Sequence, residues 1–280
     1  MDNENQDNNT DAGDWKDIAW KEYDYHAGDG AHTKADVVPI ASLFSQDGDE
    51  EWDDDDMEFR FKGLIHTIRI RGESLAGNTK VFQSTGLAVW SGGDELANYL
   101  IHGGSHFIRG KRVLELGSGT GIGGIIAHHV GASSVIWTDG DLDALENLRH
   151  NVAQNVCNSD TKEESKNGSQ TTLQYCPQLI WGHELDKFRE KYGVFDVILA
   201  SDCIYMSKCV GPFWETVDSL LMANQPDYVQ DCVLIYVNTC VSQAPFQVME
   251  AEAYNHGFFE CKTTSANSIH IFRRAQAVAS

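Results

Sequence analysis

Strand-like apolar segments alternate with helix-like amphipathic segments from about residue 112 onward, and this order restricts the fold more than any other feature. The predicted strands are KRVLELG, SSVIWTD, YGVFDVILASD and DCVLIYVNT, together with TLQYCPQLIW, which is broken near Pro177. The predicted helices are IGGIIAHHVG, LDALENLRHNVAQN, FWETVDSLLMA and PFQVMEAEAYNHG. This alternation predicts an α/β fold with a mostly parallel sheet and helices on both of its faces.

Two pairs of strands lie outside the alternating part. The closing segments FFECKTT and SIHIFRR have no helix between them and must therefore form an antiparallel hairpin. Before the alternating part, LIHTIRIRG alternates apolar and charged residues, and TKVFQSTG is its predicted hairpin partner. A helix is predicted over GGDELANYLI, which follows this N-terminal β-hairpin.

Charge divides the chain into two predicted domains. Residues 1–58 hold 19 acidic residues and three lysines, whereas residues 59–280 hold 23 acidic residues and 18 basic ones. The composition of residues 1–58 is typical of a mostly disordered acidic segment. Residues 59–280 are predicted to form one globular domain, and its mildly acidic balance argues against nucleic acid as a partner.

The cysteines and the apolar runs indicate where such a chain works. Seven cysteines are present and none forms a C-x-x-C pair, which argues against a zinc site or a disulfide framework and for a reducing compartment. The polar, acidic start does not resemble a secretory or mitochondrial leader, and no apolar run approaches the roughly 20 residues of a membrane helix. We expect a cytoplasmic protein with no membrane partner and no bound metal. A nuclear location in addition is left open.

A glycine-rich turn follows the first strand of the alternating part, in the sequence VLELGSGTGIGG. The spacing is G-x-G-x-G at Gly117, Gly119 and Gly121, and differs from the G-x-G-x-x-G of dinucleotide sites. The next strand ends at Asp139, about 20 residues later, where a carboxylate can bind both hydroxyls of a ribose. Since no phosphate-binding lysine accompanies the turn, these residues favour a nucleoside ligand without phosphates.

These segments resemble the seven-strand (class I) S-adenosylmethionine-dependent methyltransferases over about residues 63–280. The resemblance rests on VLELGSGTG, TDGD and the two closing strands. It implies a Rossmann-like, seven-stranded mixed sheet and S-adenosylmethionine as the cofactor. STGLAVWSGGDELANYL, LIWG and VILASDCIY further resemble the branch that methylates protein lysines, in which the last of these carries a DxxY motif.

The resemblance also implies a set of residues that bind the cofactor. Glu115 precedes the glycine turn, and Trp181 corresponds to an aromatic residue near the adenine. The complete predicted set is Trp90, Glu115, Gly117, Ser118, Gly119, Thr120, Gly121, Asp139, Trp181 and Ser201.

Asp202 and Tyr205 are the predicted catalytic residues. A lysine amine must be neutral and oriented before it can attack a methyl group, and a carboxylate at Asp202 can accept its hydrogen bonds and offset the charge that follows. The ring of Tyr205 can line the lysine channel and contact the cation. Enzymes that methylate bases have prolines between these two positions, whereas here Cys203 and Ile204 stand there, which argues against a nucleobase substrate.

Ordinary structural roles remain open for the same residues. Asp202 could cap a helix, Tyr205 could be a core aromatic residue, and Trp90 and Trp181 could do no more than fill the core. The acidic segment could be a solvated tail, or it could attract a lysine-rich protein substrate.

The function predicted from these residues is methylation of a lysine side chain on a protein. Two other readings stay open. One is methylation of another nucleophile, such as a protein histidine, a protein N-terminus or a small-molecule amine. The other is an inactive cofactor-binding protein that acts as an interaction module.

Asp139→Ala tests the predicted cofactor. Loss of a charged hydrogen bond to the ribose should weaken binding of S-adenosylhomocysteine by about 1–3 kcal/mol in calorimetry. NAD should not bind the wild-type protein appreciably. Thermal stabilisation by NAD, without stabilisation by S-adenosylhomocysteine, would contradict the family resemblance.

Overall fold

The computed structural model describes seven stretches of the 280-residue chain: 36–39, 56–72, 84–157, 175–222, 232–239, 246–261 and 268–275. The chain divides into two units, Met1–Thr33 and Lys34–Ser280. All the described residues belong to the second unit. Among them, no helix has both the length and the apolar character that a membrane crossing requires.

A six-stranded mixed sheet forms the centre of the described residues, with the strand order β5-β4-β6-β7-β9-β8. β4 to β7 are parallel, whereas β9 runs antiparallel to both β7 and β8, as the closing hairpin predicts. The strands are β4 (Arg112–Leu116), β5 (Ser134–Thr138), β6 (Val197–Ser201), β7 (Val233–Val237), β8 (Phe258–Cys261) and β9 (Ile269–Arg274).

The central strands of the sheet are buried on both faces because most of their residues are apolar. On β4, Val113 packs into the core on one face, whereas Leu114 and Leu116 pack into the core on the other. β6 and β7 alternate in the same way. Because β4 to β7 are parallel, the carboxyl ends of all four strands meet at one edge. In open α/β sheets this is the edge at which ligands bind.

Seven helices are described. They are α1 (Ser91–Tyr99), α2 (Ser105–Ile108), α3 (Ile122–His129), α4 (Leu142–Val152), α5 (Leu185–Tyr192), α6 (Val210–Leu220) and α7 (Phe246–Asn255). Five of these are predicted helices. A π-helical turn at Leu100–Gly104 joins α1 to α2, and another at Ala153–Cys157 extends α4. The sequence did not predict α2, which has four residues, or α5, in which Phe188 is the one buried side chain.

The prediction of a seventh strand in the sheet has to be corrected, because the described residues form six. Among the described residues of TLQYCPQLIW, pairing with the sheet is reduced to one parallel bridge between Gln178 and Asp139. Pro177 lies directly before that bridge, and a proline has no N–H to donate to a strand ladder. The bridge lies beside β5 at the edge of the sheet, where the predicted strand would have paired.

An N-terminal hairpin is present, but its partner strand differs from the predicted one. β3 (Ile68–Arg71) pairs with the preceding strand β2 (Asp56–Arg60), which in turn pairs with β1 (Asp36–Pro39). TKVFQSTG, the predicted partner, lies largely outside the described residues. Its last two residues, Thr85 and Gly86, begin a 3-10 turn at Thr85–Leu87, and Ser84 leads into this turn.

The boundary at residue 58 stays a prediction, because most of residues 1–58 lies outside the described stretches. Within this segment, β1 and the first residues of β2 join the antiparallel sheet. Removing residues 1–58 would therefore remove a strand and cut into a second one.

Three asparagines on α4 and its extension join the N-terminal sheet to the main domain. Asn151 accepts a hydrogen bond from the N–H of Arg71 (2.8 Å), and Asn155 accepts one from the N–H of Arg69 (2.8 Å). Both asparagines also donate to the carbonyl of the same residue, and Asn147 donates to the Arg71 carbonyl as well. Four helical residues rise about 6 Å and two strand residues rise about 6.6 Å, so the two spacings match. The asparagine row therefore supplies the edge of β3 with the partners that another strand would give.

Asn151→Ala should lower the free energy of unfolding by about 1–3 kcal/mol, because it removes the acceptor of the Arg71 N–H and the donor to the Thr120 carbonyl. Asn151 is completely buried and also donates to the carbonyl of Thr120 (2.9 Å). Urea titration measures the loss. Asn98→Ala is the matched control, since Asn98 donates only to Asp94 within its own helix. Equal midpoints for the two variants would show that the row does not stabilise the fold.

Candidate active site

The glycine turn leaves the carboxyl end of β4 in a conformation that only glycine adopts readily. The φ angles of Gly117, Gly119 and Gly121 are 61°, 51° and 85°, all in the left-handed region. The N–H of Ser118 donates to the carbonyl of Thr138 (2.9 Å), and the Ser118 hydroxyl accepts from the N–H of Thr138 (3.1 Å). Ser118 thus ties the turn to the end of β5, and the turn forms an open backbone cradle.

Close contacts surround the cradle. A Cβ atom at Gly117 would lie 2.8 Å from Cβ of Cys203 and 3.3 Å from Cζ2 of Trp181. A Cβ atom at Gly119 would lie 3.1 Å from the carbonyl oxygen of Gly86. The turn therefore touches the loop after β6, the predicted adenine-side tryptophan and the turn before α1. The glycines at these positions are required by space as well as by φ.

Asp139 lies beside this cradle at the end of β5. Its Oδ2 accepts a hydrogen bond from the N–H of Gly119 (2.9 Å), and its Oδ1 accepts one from the N–H of Asp141 (3.0 Å). Burial raises the pKa of Asp139, and these two donors oppose the rise. Asp141 in turn caps the first turn of α4 by accepting from the N–H of Asp143 (3.0 Å). The predicted ribose carboxylate is thus held at a fixed place next to the glycine turn.

Glu115 lies beneath the first turn of α3, which differs from an open cofactor-facing position. It is 3% exposed, and Cβ atoms at Gly123 and Gly124 would lie 2.5 Å from its Oε1 and 2.9 Å from its Oε2. Oε2 has no hydrogen-bond partner within the described stretches. Burial raises the pKa of Glu115 to about 8, and the nearby Asp139 adds to the rise. The glycines of α3 make room for this carboxyl group, whose contact with a cofactor stays a prediction.

The aromatic residues Trp90 and Tyr205 meet at Thr85. The indole N–H of Trp90 donates to the Thr85 carbonyl (2.9 Å), and the Tyr205 hydroxyl shares a hydrogen bond with the Thr85 side chain. Burial raises the pKa of Tyr205, although 37% of the residue is exposed. Neither residue is fully buried in the core, and the place of Tyr205 in a lysine channel stays a prediction.

Trp181 and Ser201 complete the set. Trp181 packs edge-on against Phe213, with ring centroids 5.2 Å apart, and its other edge faces Gly117. Ser201 is the half-buried last residue of β6, directly before Asp202. All the predicted site residues therefore lie at the carboxyl edge of the parallel strands or in the turns that cover it. Their contacts with a cofactor stay predictions.

Asp202 is held more firmly than the sequence indicates. Its Oδ2 accepts hydrogen bonds from the N–H of Gly92 (2.8 Å) and the hydroxyl of Thr239 (2.6 Å). Its Oδ1 accepts one from the N–H of Thr239 (2.7 Å). The residue caps a helix, as one open reading proposed, but that helix is α1 and not the one that follows in the chain. We call Asp202, Thr239 and Gly92 the carboxylate clamp.

Sequence reasoning missed two members of the carboxylate clamp. Gly92 must be glycine because a Cβ atom there would lie 2.4 Å from Oδ2 of Asp202. The pair of glycines in WSGGDELANYL was a signal for such a close approach. Thr239 follows β7 without any motif, so nothing in the sequence marked it.

The described stretches contain no candidate metal-binding site. No group of three or more histidine, cysteine, aspartate or glutamate side chains there could hold a metal ion.

The fold and the glycine turn define the class I methyltransferase architecture. The crystal structure of SMU.776, a protein assigned as a methyltransferase and solved with S-adenosylhomocysteine, superimposes with a TM-score of 0.50 at 12% identity. The match covers 82% of this chain and 57% of that one. At this identity the likeness shows the fold alone.

Sequence comparison narrows the class to one family. The model of the family described as lysine methyltransferase matches residues 71–237, which is more than half of the chain. The chain therefore belongs to the lysine methyltransferase family, which confirms the predicted branch.

Several curated proteins are similar to the chain. Protein N-lysine methyltransferase METTL21A of Xenopus tropicalis is 29% identical over 220 residues, which cover 78% of this chain and 87% of the relative. Protein N-terminal and lysine N-methyltransferase EFM7 of Yarrowia lipolytica is 30% identical, and METTL21A of Danio rerio is 36% identical. These two matches cover 43% and 40% of this chain, and 46% and 45% of the relatives. The chain thus spans less than half the length of these two relatives.

Glu115→Gln should remove a pH dependence of stability. The folded chain retains a proton on Glu115 up to about pH 8, whereas the unfolded chain releases it near the ordinary value of 4.5. Wild-type stability should therefore fall between about pH 4.5 and 8, by at most about 1.4 kcal/mol per pH unit. The variant should lack this fall, so that its melting temperature gains on the wild type as the pH rises. Glu146→Gln, at an exposed position on α4, is the control. Parallel pH curves for wild type and Glu115→Gln would contradict the buried, protonated carboxyl.

Proposed function

We propose that the chain is an S-adenosylmethionine-dependent methyltransferase that transfers a methyl group to a lysine side chain of a protein. The carrying observation is that the glycine cradle, Asp139 and the Asp202–Tyr205 turn lie together at the carboxyl edge of the sheet, in a chain of the lysine methyltransferase family. The relatives named above as protein lysine methyltransferases support the same substrate class.

The residues present suit S-adenosylmethionine. The cradle has no side chains at three positions, so backbone can approach a ligand closely, and a carboxylate stands beside it for ribose hydroxyls. In the proposal, the glycine turn and Asp139 hold the nucleoside and methionine parts, Trp181 lies against the adenine, and Trp90 and Ser201 complete the contacts. When bound, this cofactor supplies a methyl group on a positively charged sulfur.

The chain's own task is to orient the lysine amine. An ordinary lysine is protonated at neutral pH, and its lone pair becomes available only after the proton leaves. Asp202 offers a carboxylate at a position fixed by three hydrogen bonds, which favours an oriented acceptor over a mobile one. The exposed part of the Tyr205 ring can contact the cationic amine and its methylated product.

The carboxylate clamp changes how Asp202 can be tested. Asp202→Asn keeps the size of the side chain, but its amide would present N–H groups to the donors of Gly92 or Thr239. A fall in turnover of about 100-fold, expected for lost electrostatic stabilisation, would then mix lost charge with a disturbed clamp. Tyr205 gives a cleaner test, since its hydroxyl bonds to the side chain of Thr85 and lies outside the carboxylate clamp.

A second candidate is methylation of a protein N-terminus. Two relatives, from Yarrowia lipolytica and Schizosaccharomyces pombe, are named protein N-terminal and lysine N-methyltransferases. An α-amine and a lysine amine need the same orientation, so both fit the same carboxylate. Histidine and small-molecule amines are weaker alternatives, and the inactive interaction module is distinguished by the absence of any methyl transfer.

The proposal extends to partner and location. Residues 1–58 carry most of the net negative charge, which favours a lysine-rich protein substrate over nucleic acid. A cytoplasmic location, with or without a nuclear pool, is supported by the cysteine pattern of the sequence, in which none of the seven cysteines forms a C-x-x-C pair.

Incubation of cell lysate with radiolabelled S-adenosylmethionine and the purified protein tests this function. Acid hydrolysis of the labelled proteins should release label mainly as methyl-lysine. Label in methyl-histidine, or on N-terminal residues only, would overturn the lysine proposal. No label above a protein-free control would favour the inactive module.

Tyr205→Ala should lower the labelling rate by about 3- to 30-fold through loss of the ring's contact with the amine. Tyr205→Phe keeps the ring and should lose less. Both variants should bind S-adenosylhomocysteine nearly as the wild type does, measured by calorimetry. Tyr254→Ala, at a largely exposed position on α7, is the control and should label at the wild-type rate. Equal rates for Tyr205→Ala and Tyr254→Ala would remove Tyr205 from the channel.

A further inference from the structure

Thr239 contacts both oxygens of the predicted catalytic carboxylate. Its N–H donates to Oδ1 of Asp202 (2.7 Å) and its hydroxyl to Oδ2 (2.6 Å). Gly92 donates to Oδ2 only. Thr239 thus holds the plane of the carboxylate, because two donors on one residue fix two acceptor positions at once.

The direction of the hydroxyl chain follows from the number of protons. A carboxylate only accepts hydrogen bonds, so the single hydrogen of the Thr239 hydroxyl points to Asp202. The oxygen of Thr239 lies 2.6 Å from the hydroxyl oxygen of Ser91, which must therefore be the donor in that pair. Ser91 consequently fixes the rotation of Thr239, and Thr239 fixes Asp202.

The backbone conformation at Asp202 indicates that the hydrogen bonds from Ser91 through Thr239 to Asp202 do more than cap α1. Its φ angle is 46°, in the left-handed region, where a residue other than glycine persists when its surroundings determine it. The N–H of Asp202 donates to the carbonyl of Val237 (2.9 Å), so backbone and side chain are both bound to the end of β7. The turn leads within three residues to Tyr205. A change at Thr239 would therefore reach the predicted amine site directly.

We propose that Thr239 is a positioning residue for methyl transfer, which orients the carboxylate of Asp202 through its hydroxyl and its N–H, with Ser91 fixing the hydroxyl. The inference rests on the proposed function, because the amine is the group that an oriented carboxylate would serve. Thr239 need not touch the cofactor or the substrate.

Thr239→Val and Thr239→Ser form the matched pair that tests the inference. Valine keeps the size and the backbone N–H but removes the hydroxyl, whereas serine keeps the hydroxyl. Loss of a hydrogen bond to a charged group should lower the labelling rate of lysate proteins by about 10- to 100-fold at saturating S-adenosylmethionine in Thr239→Val. Thr239→Ser should recover most of the rate. The affinity of either variant for S-adenosylhomocysteine should stay within about threefold of wild type, because changes at sites without shared partners affect each other little.

A merely structural role gives a different pattern. The rate would then fall only in step with the melting temperature, would return on cooling, and would not be rescued selectively by serine. That pattern, or a wild-type rate in Thr239→Val, overturns the inference while leaving lysine methylation by the wild type intact.

Amide hydrogen exchange supplies a readout that does not depend on activity. If Thr239 fixes the carboxylate, exchange at the N–H of Gly92 should accelerate in Thr239→Val and recover in Thr239→Ser, both followed by NMR. Unchanged exchange would overturn the positioning role even if the wild type labelled nothing. An inactive wild type with the expected exchange pattern would support the positioning of Asp202 and contradict the proposed function.

Discussion

The carboxylate of Asp202 is the constraint on which the site depends. Parallel strands bring their carboxyl ends to one edge, but the loops that leave this edge have no regular hydrogen-bond pattern to hold them. Three donors on Gly92 and Thr239 converge on one side chain and join the first turn of α1 to the ends of β6 and β7. A helix terminus with unpaired N–H groups favours a negative charge, so the carboxylate satisfies the helix while its own position becomes fixed.

A second set of polar contacts holds the frame around the site. The asparagines of α4 pair with the edge of β3, and Asn151 also donates to the carbonyl of Thr120 in the glycine turn. Asp141, the N-cap of α4, lies two residues after Asp139. The same helix thus connects the N-terminal sheet, the glycine turn and the predicted ribose carboxylate, and it uses neutral amides whose burial costs little once both their donors and acceptors are paired.

Most of the fold could be predicted from the sequence because it has a local signature. The apolar strands β4 to β9 and the helices between them follow from periodicity and from the glycines that end each segment. The failures have local causes too. Pro177 reduced a predicted strand to one bridge, α5 was missed because Phe188 is its single buried residue, and β3 pairs with the preceding β2, which was not predicted as a strand.

The sequence by itself determined the glycine turn, the carboxylate at Asp139, the order of strands and helices, and the family to which the chain belongs. Each of these features is carried by residues near one another in the sequence, and backbone sterics give each of them a recognisable pattern. Only the tertiary structure decided what holds Asp202, where the carboxyl of Glu115 lies and what closes the edge of β3. Those contacts join residues as far apart as Gly92 and Asp202, or Arg71 and Asn151. A hydrogen bond between such distant residues depends on how the packed strands and helices face each other, and so leaves no period or motif in the chain.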